Sequence, residues 1–188
     1  IIYRRFTYDG RTWSEKEVML DLKNPFDETR LCISPALIYE DGIYRMWCSS
    51  AEDFEGKYRT INYYEMIDGD MMELKSKHAL SKGILSHIDV VKDDGKYWLV
   101  GNDVSVDGFP LRLYSFVSPD EKDYNYEGIL LSHGKRGRWD DRVIYRPSAV
   151  WANQKLWLYY SAYGTNPNTS NHVGLIKVQN WKELLKCF

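Results

Sequence analysis

The sequence lacks the features that would place it in several common protein classes. No apolar run approaches the roughly 18 residues that a membrane-spanning helix needs, and no basic-then-apolar leader precedes the first predicted strand. Twenty-five Lys and Arg nearly balance 27 Asp and Glu, so the net charge is only −2 and no basic stripe is visible. These absences indicate neither membrane insertion nor secretion, leave the localisation open, and argue against a nucleic-acid partner.

Cysteine is scarce, and its spacing does not suggest a metal site. Cys32, Cys48 and Cys187 are odd in number, and no two of them form a C-x-x-C pair. Structural zinc sites use closer ligand pairs, and the four histidines are dispersed, so we expect no metal and no cofactor. Cys48 lies in an apolar strand, where a buried free thiol is common. We therefore predict three reduced, structural cysteines.

Aromatic residues are abundant, at 15% of the chain, and they concentrate in a motif that occurs three times. The copies begin at Ser34, His87 and Arg146, which are 53 and 59 residues apart. Each copy is an apolar run, a short polar turn and an aromatic-rich second run, a pattern that predicts a β-hairpin. The spacing fits one four-stranded propeller blade with a connecting loop.

We therefore predict an all-β fold, a β-propeller of four-stranded blades, as a single domain over residues 1–188. The segments 1–22, 34–80, 87–132 and 143–178 correspond to half a blade, two whole blades and most of another, and a short helix follows in WKELLKCF. About three and a half blades is fewer than the usual four to eight. We expect a missing segment or another chain to complete the ring, unless the terminal pieces pair into one composite blade.

The starts of the innermost strands are the predicted functional site, because these strands surround the central channel and begin at one mouth. The three equivalent triplets are Ser34-Pro35-Ala36, His87-Ile88-Asp89 and Arg146-Pro147-Ser148. Their apolar flanks are alike, whereas the triplets differ and are mostly polar. We expect these side chains to meet in one pocket.

The hairpins resemble those of the five-bladed propeller glycosidase superfamily, which includes arabinanase, xylosidase, invertase and levansucrase families and related glycoside phosphorylases. The segments KDDGKYWLVGND and EDGIYRMWCSS carry the resemblance through their DG turns and aromatic second strands. The resemblance implies a five-bladed propeller that holds a carbohydrate in its central cavity. It also implies an Asp on each of two neighbouring blades and a Glu acid on the next, and Asp89 lies where the second Asp is expected.

Two positions depart from the superfamily pattern. Ala36 is equivalent to Asp89 in its own blade, and Arg146 and Ser148 occupy the place of the Glu. Glycoside hydrolysis needs two carboxyl groups, about 5 Å apart for retention or about 6.5–9.5 Å for inversion. Phosphorolysis is less demanding, because one acid suffices when cationic side chains such as His87 and Arg146 hold phosphate.

The predicted catalytic residues are Asp89 and His87, and the predicted substrate-binding residues are Arg146, Ser34, Ser148, Asp103 and Asp141. Each has a structural alternative. Asp89 contacts substrate, or it pairs with Arg146 or caps backbone amides. His87 assists catalysis, or it makes a hydrogen bond between blades. Asp141 overhangs the channel mouth, or it stabilises a turn.

The leading functional hypothesis is a glycoside hydrolase-like protein that binds a carbohydrate in its central cavity and cleaves glycosidic bonds. Two alternatives remain close to it, a non-catalytic carbohydrate-recognition module and a glycoside phosphorylase. A third is a propeller scaffold for protein partners. The second catalytic carboxylate, if there is one, must come from a loop residue such as Asp103 or Asp141 or from outside this sequence.

Overall fold

A computed structural model of the chain describes residues 1–22, 31–51, 59–67, 71–78, 85–103, 112–165 and 171–186. Strands dominate the described residues, and one short helix follows them. In chain order the elements are β1 (Ile2–Arg4), β2 (Glu17–Leu20), β3 (Leu31–Glu40), β4 (Ile43–Ala51), β5 (Arg59–Ile67), β6 (Glu73–His78), β7 (Leu85–Asp93), β8 (Lys96–Asp103), β9 (Arg112–Ser118), β10 (Asn125–Ser132), β11 (Val143–Ala152), β12 (Lys155–Tyr163), β13 (His172–Val178) and α1 (Trp181–Leu184). No described helix has the length and apolar composition to cross a membrane.

The strands form antiparallel meanders that are arranged as propeller blades. Strands β3 to β6 make blade 1, β7 to β10 make blade 2 and β11 to β13 make blade 3, each in sequential order, while β1 and β2 form a separate two-stranded sheet. The innermost strands of successive blades contact one another, β3 with β7 and β7 with β11. This radial arrangement of meanders confirms the predicted β-propeller, and the number of blades in a complete ring stays a prediction.

The three predicted hairpin turns have the backbone conformation that right-twisted strands require. The central residues of the turns, Asp41-Gly42, Asp94-Gly95 and Asn153-Gln154, all have φ between 51° and 77°. Positive φ at both central positions is the mark of a type I′ turn, whose twist matches that of the flanking strands. Asp and Asn tolerate this conformation better than most side chains, which explains the polar turn residues in all three copies.

Strand β10 contains a bulge that the sequence pattern does not reveal. The strand starts at Asn125, three residues before Gly128. The register against β9 shifts between Tyr126 and Gly128, and Gly128 has φ 154°. A bulge at this glycine interrupts the apolar alternation without ending the strand.

The apolar cores lie between blades, and the aromatic second strands supply much of them. Trp47, Tyr63 and Phe116 pack between blades 1 and 2 and are at most 1% exposed. A larger cluster joins blades 2 and 3 to α1. There Trp181 is fully buried, stacks on Trp98 and donates through Nε1 to Ser115 Oγ at 2.8 Å. The helix therefore fastens the end of the described chain to blade 2.

The prediction of three reduced cysteines is wrong for two of them. Cys32 and Cys48 form a disulfide between β3 and β4, with a Cα–Cα distance of 5.6 Å and a sequence separation of 16 residues. The strand register places Cys32 opposite Ser50, so Cys48 is its diagonal neighbour across the hairpin. Spacing alone gave no signal, because only the hairpin register brings the two thiols together. Cys187 lies outside the described residues.

Candidate functional site

Each innermost strand has a bulge at the position where sequence reasoning placed the functional residues. The pairing register shifts between Ile33 and Ala36 in blade 1, at Leu85/His87 in blade 2 and at Tyr145/Ser148 in blade 3. Bulges leave a residue unpaired and re-aim its side chain. In blades 1 and 3 the first two residues of the triplet are therefore unpaired, whereas in blade 2 the bulge lies at Ser86 and the triplet that follows it is paired with β8.

Two of these positions adopt a backbone conformation that non-glycine residues rarely use. Ser34 has φ 50° and Arg146 has φ 49°, and a proline follows each of them. Such left-handed residues cost energy and persist only where the surrounding structure holds them. The equivalent residues of blades 1 and 3 thus share one local geometry, although they are 112 residues apart by sequence number (146 − 34).

Ser34 and His87 meet across the boundary between blades 1 and 2. Ser34 Oγ and His87 Nδ1 are 2.5 Å apart, and both residues are half-buried. A hydroxyl can donate to a neutral imidazole nitrogen or accept from it, so this hydrogen bond also orients the ring. The structure brings together two of the predicted site residues here.

Asp89 reaches from blade 2 to the innermost strand of blade 3. Its Oδ2 accepts a hydrogen bond from the Ala149 backbone amide at 2.8 Å, and its Oδ1 accepts one from the Val90 amide at 2.9 Å. The Ser148 side chain also hydrogen-bonds to the carboxylate. Burial raises the pKa of Asp89, while these donors act in the opposite direction. Asp89 therefore caps backbone amides, which is one of the two alternatives for this residue.

Sequence reasoning missed Asn102, which supports the same region from β8. Its side chain is fully buried, Nδ2 donates to Ser86 Oγ at 2.6 Å, and Oδ1 accepts from the Arg146 backbone amide at 3.1 Å. These bonds link the strand that carries His87 to the left-handed residue of the next blade. Asn102 is thus a positioning residue for the candidate site.

A signal for Asn102 was present in the repeat itself. Ser49, Asn102 and Ser161 occupy equivalent positions near the end of the three apolar second strands. Ser49 makes the corresponding contact one blade earlier, where its buried hydroxyl donates to the Leu85 carbonyl at 2.5 Å. A polar residue that recurs at one buried strand position predicts a structural hydrogen bond between repeats.

Arg146 and Ser148 are exposed at the start of β11. The Arg146 guanidinium lies 5.5 Å from the ring centroid of Tyr145, within the range of a cation–π contact. None of the ion pairs among the described residues includes Arg146. Arg146 is thus an exposed side chain, two residues before Ser148 in the chain, with a contact to Tyr145 and no ion pair among the described residues.

The two predicted loop carboxylates have different outcomes. The Asp141 carboxylate is 9% exposed and accepts hydrogen bonds from Gly137 N, from Thr165 N at 2.6 Å and from Thr165 Oγ1 at 3.0 Å. These bonds lower its pKa and tie the β10–β11 loop to the residues after β12. The turn alternative thus accounts for the contacts of Asp141. Asp103 ends β8, and its side chain lies outside the described part of the chain.

The described polar side chains near the bulges include one carboxylate, that of Asp89. Serine hydroxyls, an imidazole and a guanidinium offer both donors and acceptors. No group of three or more His, Cys, Asp or Glu side chains among the described residues is placed to hold a metal ion.

Comparison with known proteins shows the fold. No protein-family model matches the sequence, and no curated protein matches it significantly. A family 117 glycoside hydrolase, Zg3597 from Zobellia galactanivorans, matches with a TM-score of 0.69 and 16% identity over 95% of this chain and 58% of its own. An N-acetylgalactosamine deacetylase from F. plautii, in complex with blood group B trisaccharide, matches with a TM-score of 0.63 and 18% identity over 82% of this chain and 51% of its own.

A third solved structure has a GH43_1 enzyme from Xanthomonas citri with bound xylotriose. It matches with a TM-score of 0.53 and 15% identity over 68% of this chain and 39% of its own. The chain thus spans about half of the first two structures and less of the third. At such identities the likeness shows the fold alone: this chain shares the β-propeller fold of these structures, as its hairpins predicted.

Proposed function

We propose that the protein is a glycosidase-like propeller that binds a carbohydrate where its innermost strands begin. The observation that carries the proposal is the 2.5 Å contact between Ser34 Oγ and His87 Nδ1. It joins the leading residues of two repeats that are 53 positions apart in the sequence. The repeats have similar apolar flanks, but their polar residues differ at the position where the repeats come together. This pattern is typical of a scaffold that carries a binding site.

The side chains around this contact suit a sugar. Arg146 and Ser148 are exposed at the start of β11, where Ser148 hydrogen-bonds to Asp89, and together with His87 they supply donors and acceptors for ring hydroxyls. The Arg146 amide donates to Asn102 and the Ala149 amide donates to Asp89, so the backbone of this part of β11 is held before a ligand binds, which reduces the ordering needed on binding. Support for the ligand class comes from structures of the same fold that contain blood group B trisaccharide and xylotriose.

Glycosidic-bond cleavage is the first reaction within this proposal. Burial raises the pKa of Asp89, which is the direction that a general acid requires. His87 lies two residues before it on the same strand and is the proposed second catalytic group. A second carboxyl group is needed for hydrolysis, and it would come from residues other than the described residues of the site.

A non-catalytic carbohydrate-recognition module is the second candidate. It is favoured because both oxygens of Asp89 accept backbone hydrogen bonds, which suits a structural role. A glycoside phosphorylase is favoured by the exposed Arg146, because a guanidinium binds phosphate through two parallel hydrogen bonds.

Binding and turnover measurements separate these functions. Xylotriose and blood group B trisaccharide are titrated into the protein by calorimetry, and a panel of aryl glycosides is assayed with and without inorganic phosphate. We expect Arg146→Ala and His87→Ala to weaken binding about tenfold, because each removes hydrogen bonds from a charged or polarised donor. Arg112→Ala is the matched control, since Arg112 is exposed on β9.

The outcomes point to different proteins. Turnover that Asp89→Asn abolishes supports a glycosidase, and turnover that requires phosphate supports a phosphorylase. Binding without turnover supports the recognition module. The proposal is refuted if none of these sugars binds, or if Arg146→Ala and Arg112→Ala behave alike.

A further inference from the structure

A cavity of about 610 Å³ lies at the end of blade 2, where β10 leads into blade 3. Leu131 and Ser132 of β10 line it, together with His133, Lys135 and Asp140 of the following loop and Tyr160 of β12. The lining includes none of the residues of the central candidate site, Ser34, His87, Asp89 and Arg146. Its volume falls within the range of about 300–1,000 Å³ that is usual for small-molecule sites.

Asp140 has a carboxylate oxygen that the described protein leaves without a donor. Oδ1 is shielded from solvent and accepts no hydrogen bond from any described residue. The backbone holds Asp140 in place, because its carbonyl accepts from the Gly134 amide at 2.9 Å. A buried acceptor without a donor is unfavourable, and a ligand hydroxyl that donates to the Asp140 carboxylate from the cavity would stabilise its charge.

Gly134 makes room for this carboxylate. A Cβ atom built at Gly134 would lie 2.1 Å from Asp140 Oδ1 and 2.9 Å from Asp140 Cγ. The backbone of Gly134 does not have positive φ. Glycine is therefore required at position 134 because a side chain would overlap with Asp140, and not because of an unusual backbone conformation.

The other polar groups around the cavity complement Asp140. His133 Nδ1 is 3.0 Å from the Gly134 carbonyl, so it must donate there, and in the neutral ring Nε2 is then an acceptor. Lys135 supplies an ammonium group. The Tyr160 ring is 7% exposed and stacks on Trp139 at a centroid distance of 5.8 Å. Its hydroxyl stays protonated because burial, and then the charge of Asp140, raises its pKa.

We propose that this cavity is a second carbohydrate-binding site, which takes a unit of a neutral oligosaccharide. The negative carboxylate of Asp140 would repel an anion, and the positive ammonium of Lys135 would repel a cation. A purely apolar ligand would leave these groups unpaired, at a cost in desolvation. Sugar hydroxyls both donate and accept, and the apolar face of a sugar ring can cover Leu131. The site does not depend on the central one.

Backbone amide shifts of the ¹⁵N-labelled protein test this inference, with xylotriose as the probe and inorganic phosphate as the competing chemistry. We expect xylotriose to shift the amides of residues 131–135 and 140, and phosphate to leave them unchanged. Asp140→Asn keeps the size of the side chain, removes its charge and should weaken xylotriose binding at this site about tenfold. Gly134→Ala should have a similar effect, because its methyl group displaces the carboxylate.

Two control variants identify the site. Glu127→Gln removes an exposed carboxylate from the same strand, β10, and should leave the affinity unchanged. Arg146→Ala should affect only shifts near the central site, so failure of one site is distinguishable from failure of the other. The inference is overturned if residues 131–135 do not respond to xylotriose, if phosphate shifts them more than the sugar does, or if Asp140→Asn binds like Glu127→Gln. Should Gly134→Ala not fold, Asp140→Asn alone decides.

Discussion

Replacing Asn102 with alanine should weaken the contact between blades 2 and 3, because its side chain joins them by a hydrogen bond. The fully buried amide makes at least two hydrogen bonds, to Ser86 Oγ and from the Arg146 amide. Each contributes about 1 kcal/mol net, and unpaired groups that stay buried add to the cost. We therefore expect Asn102→Ala to lower the free energy of unfolding by about 2–3 kcal/mol.

Urea unfolding followed by tryptophan fluorescence measures this loss. With a slope of about 2 kcal/mol/M, the midpoint should fall by about 1–1.5 M. Asn102→Ser copies the residue that blades 1 and 3 have at the equivalent position, and it should lose only about 1 kcal/mol because the hydroxyl keeps one partner. Asn125→Ala, at an exposed asparagine of β10, is the control and should change stability by less than about 0.5 kcal/mol.

The reasoning would be refuted by an Asn102→Ala protein that unfolds within about 0.5 kcal/mol of the wild type. It would also fail if the Ser variant were no more stable than the Ala variant. In the first case the contact between blades contributes nothing. In the second case, a serine at this position would not stabilise the protein, although blades 1 and 3 have serine at the equivalent position.

Three further predictions follow from contacts elsewhere. Because burial raises the pKa of Asp89, its stabilising effect is complete below the unfolded pKa of about 3.9 and is lost as pH rises through the higher folded pKa. The wild type should thus lose stability relative to Asp89→Asn as pH rises above about 3.9 in urea titrations, and a relative gain would contradict this. Reduction of the Cys32–Cys48 disulfide, which spans 16 residues, should lower the free energy of unfolding by about 3 kcal/mol. Thiol titration establishes complete reduction, and urea unfolding then measures the loss. An unchanged urea midpoint after complete reduction would contradict the prediction. Trp181→Ala should cost about 3–5 kcal/mol, and Trp181→Phe should cost less, about 2 kcal/mol, because Phe keeps most of the aromatic packing and loses the hydrogen bond to Ser115 and part of the ring. Equal thermal shifts for both variants would show that packing does not dominate.

Most of the fold was predictable because the information is local. Apolar alternation, the turns at Asp41-Gly42 and Asp94-Gly95 and a regular spacing are properties of short segments. The start of β10 was not predictable, because the bulge at Gly128 looks like the end of a strand in the sequence. The disulfide was missed for a related reason: Cys32 and Cys48 become neighbours only through the register of a hairpin.

The candidate site was predictable in outline and not in its contacts. Equivalent positions of a repeat converge in a propeller, and Ser34 and His87 do meet. The partners of Asp89 were left open, because a carboxylate at that position is compatible with a ligand, with Arg146 or with backbone amides. Asn102 was overlooked although the repeat marked its position, because a single buried amide changes neither the hydrophobic pattern nor the turn signals.

The sequence by itself determined which segments are strands, where the hairpins turn and how often the unit recurs, since these depend on neighbours a few residues away. Only the tertiary structure decided that Asp89 caps the Ala149 amide of the next blade, that Asn102 joins blades 2 and 3, and that Asp140 packs against Gly134 beside a cavity. These contacts depend on the distances and angles between blades. Such distances arise from the packing of whole sheets, which no local pattern of residues specifies.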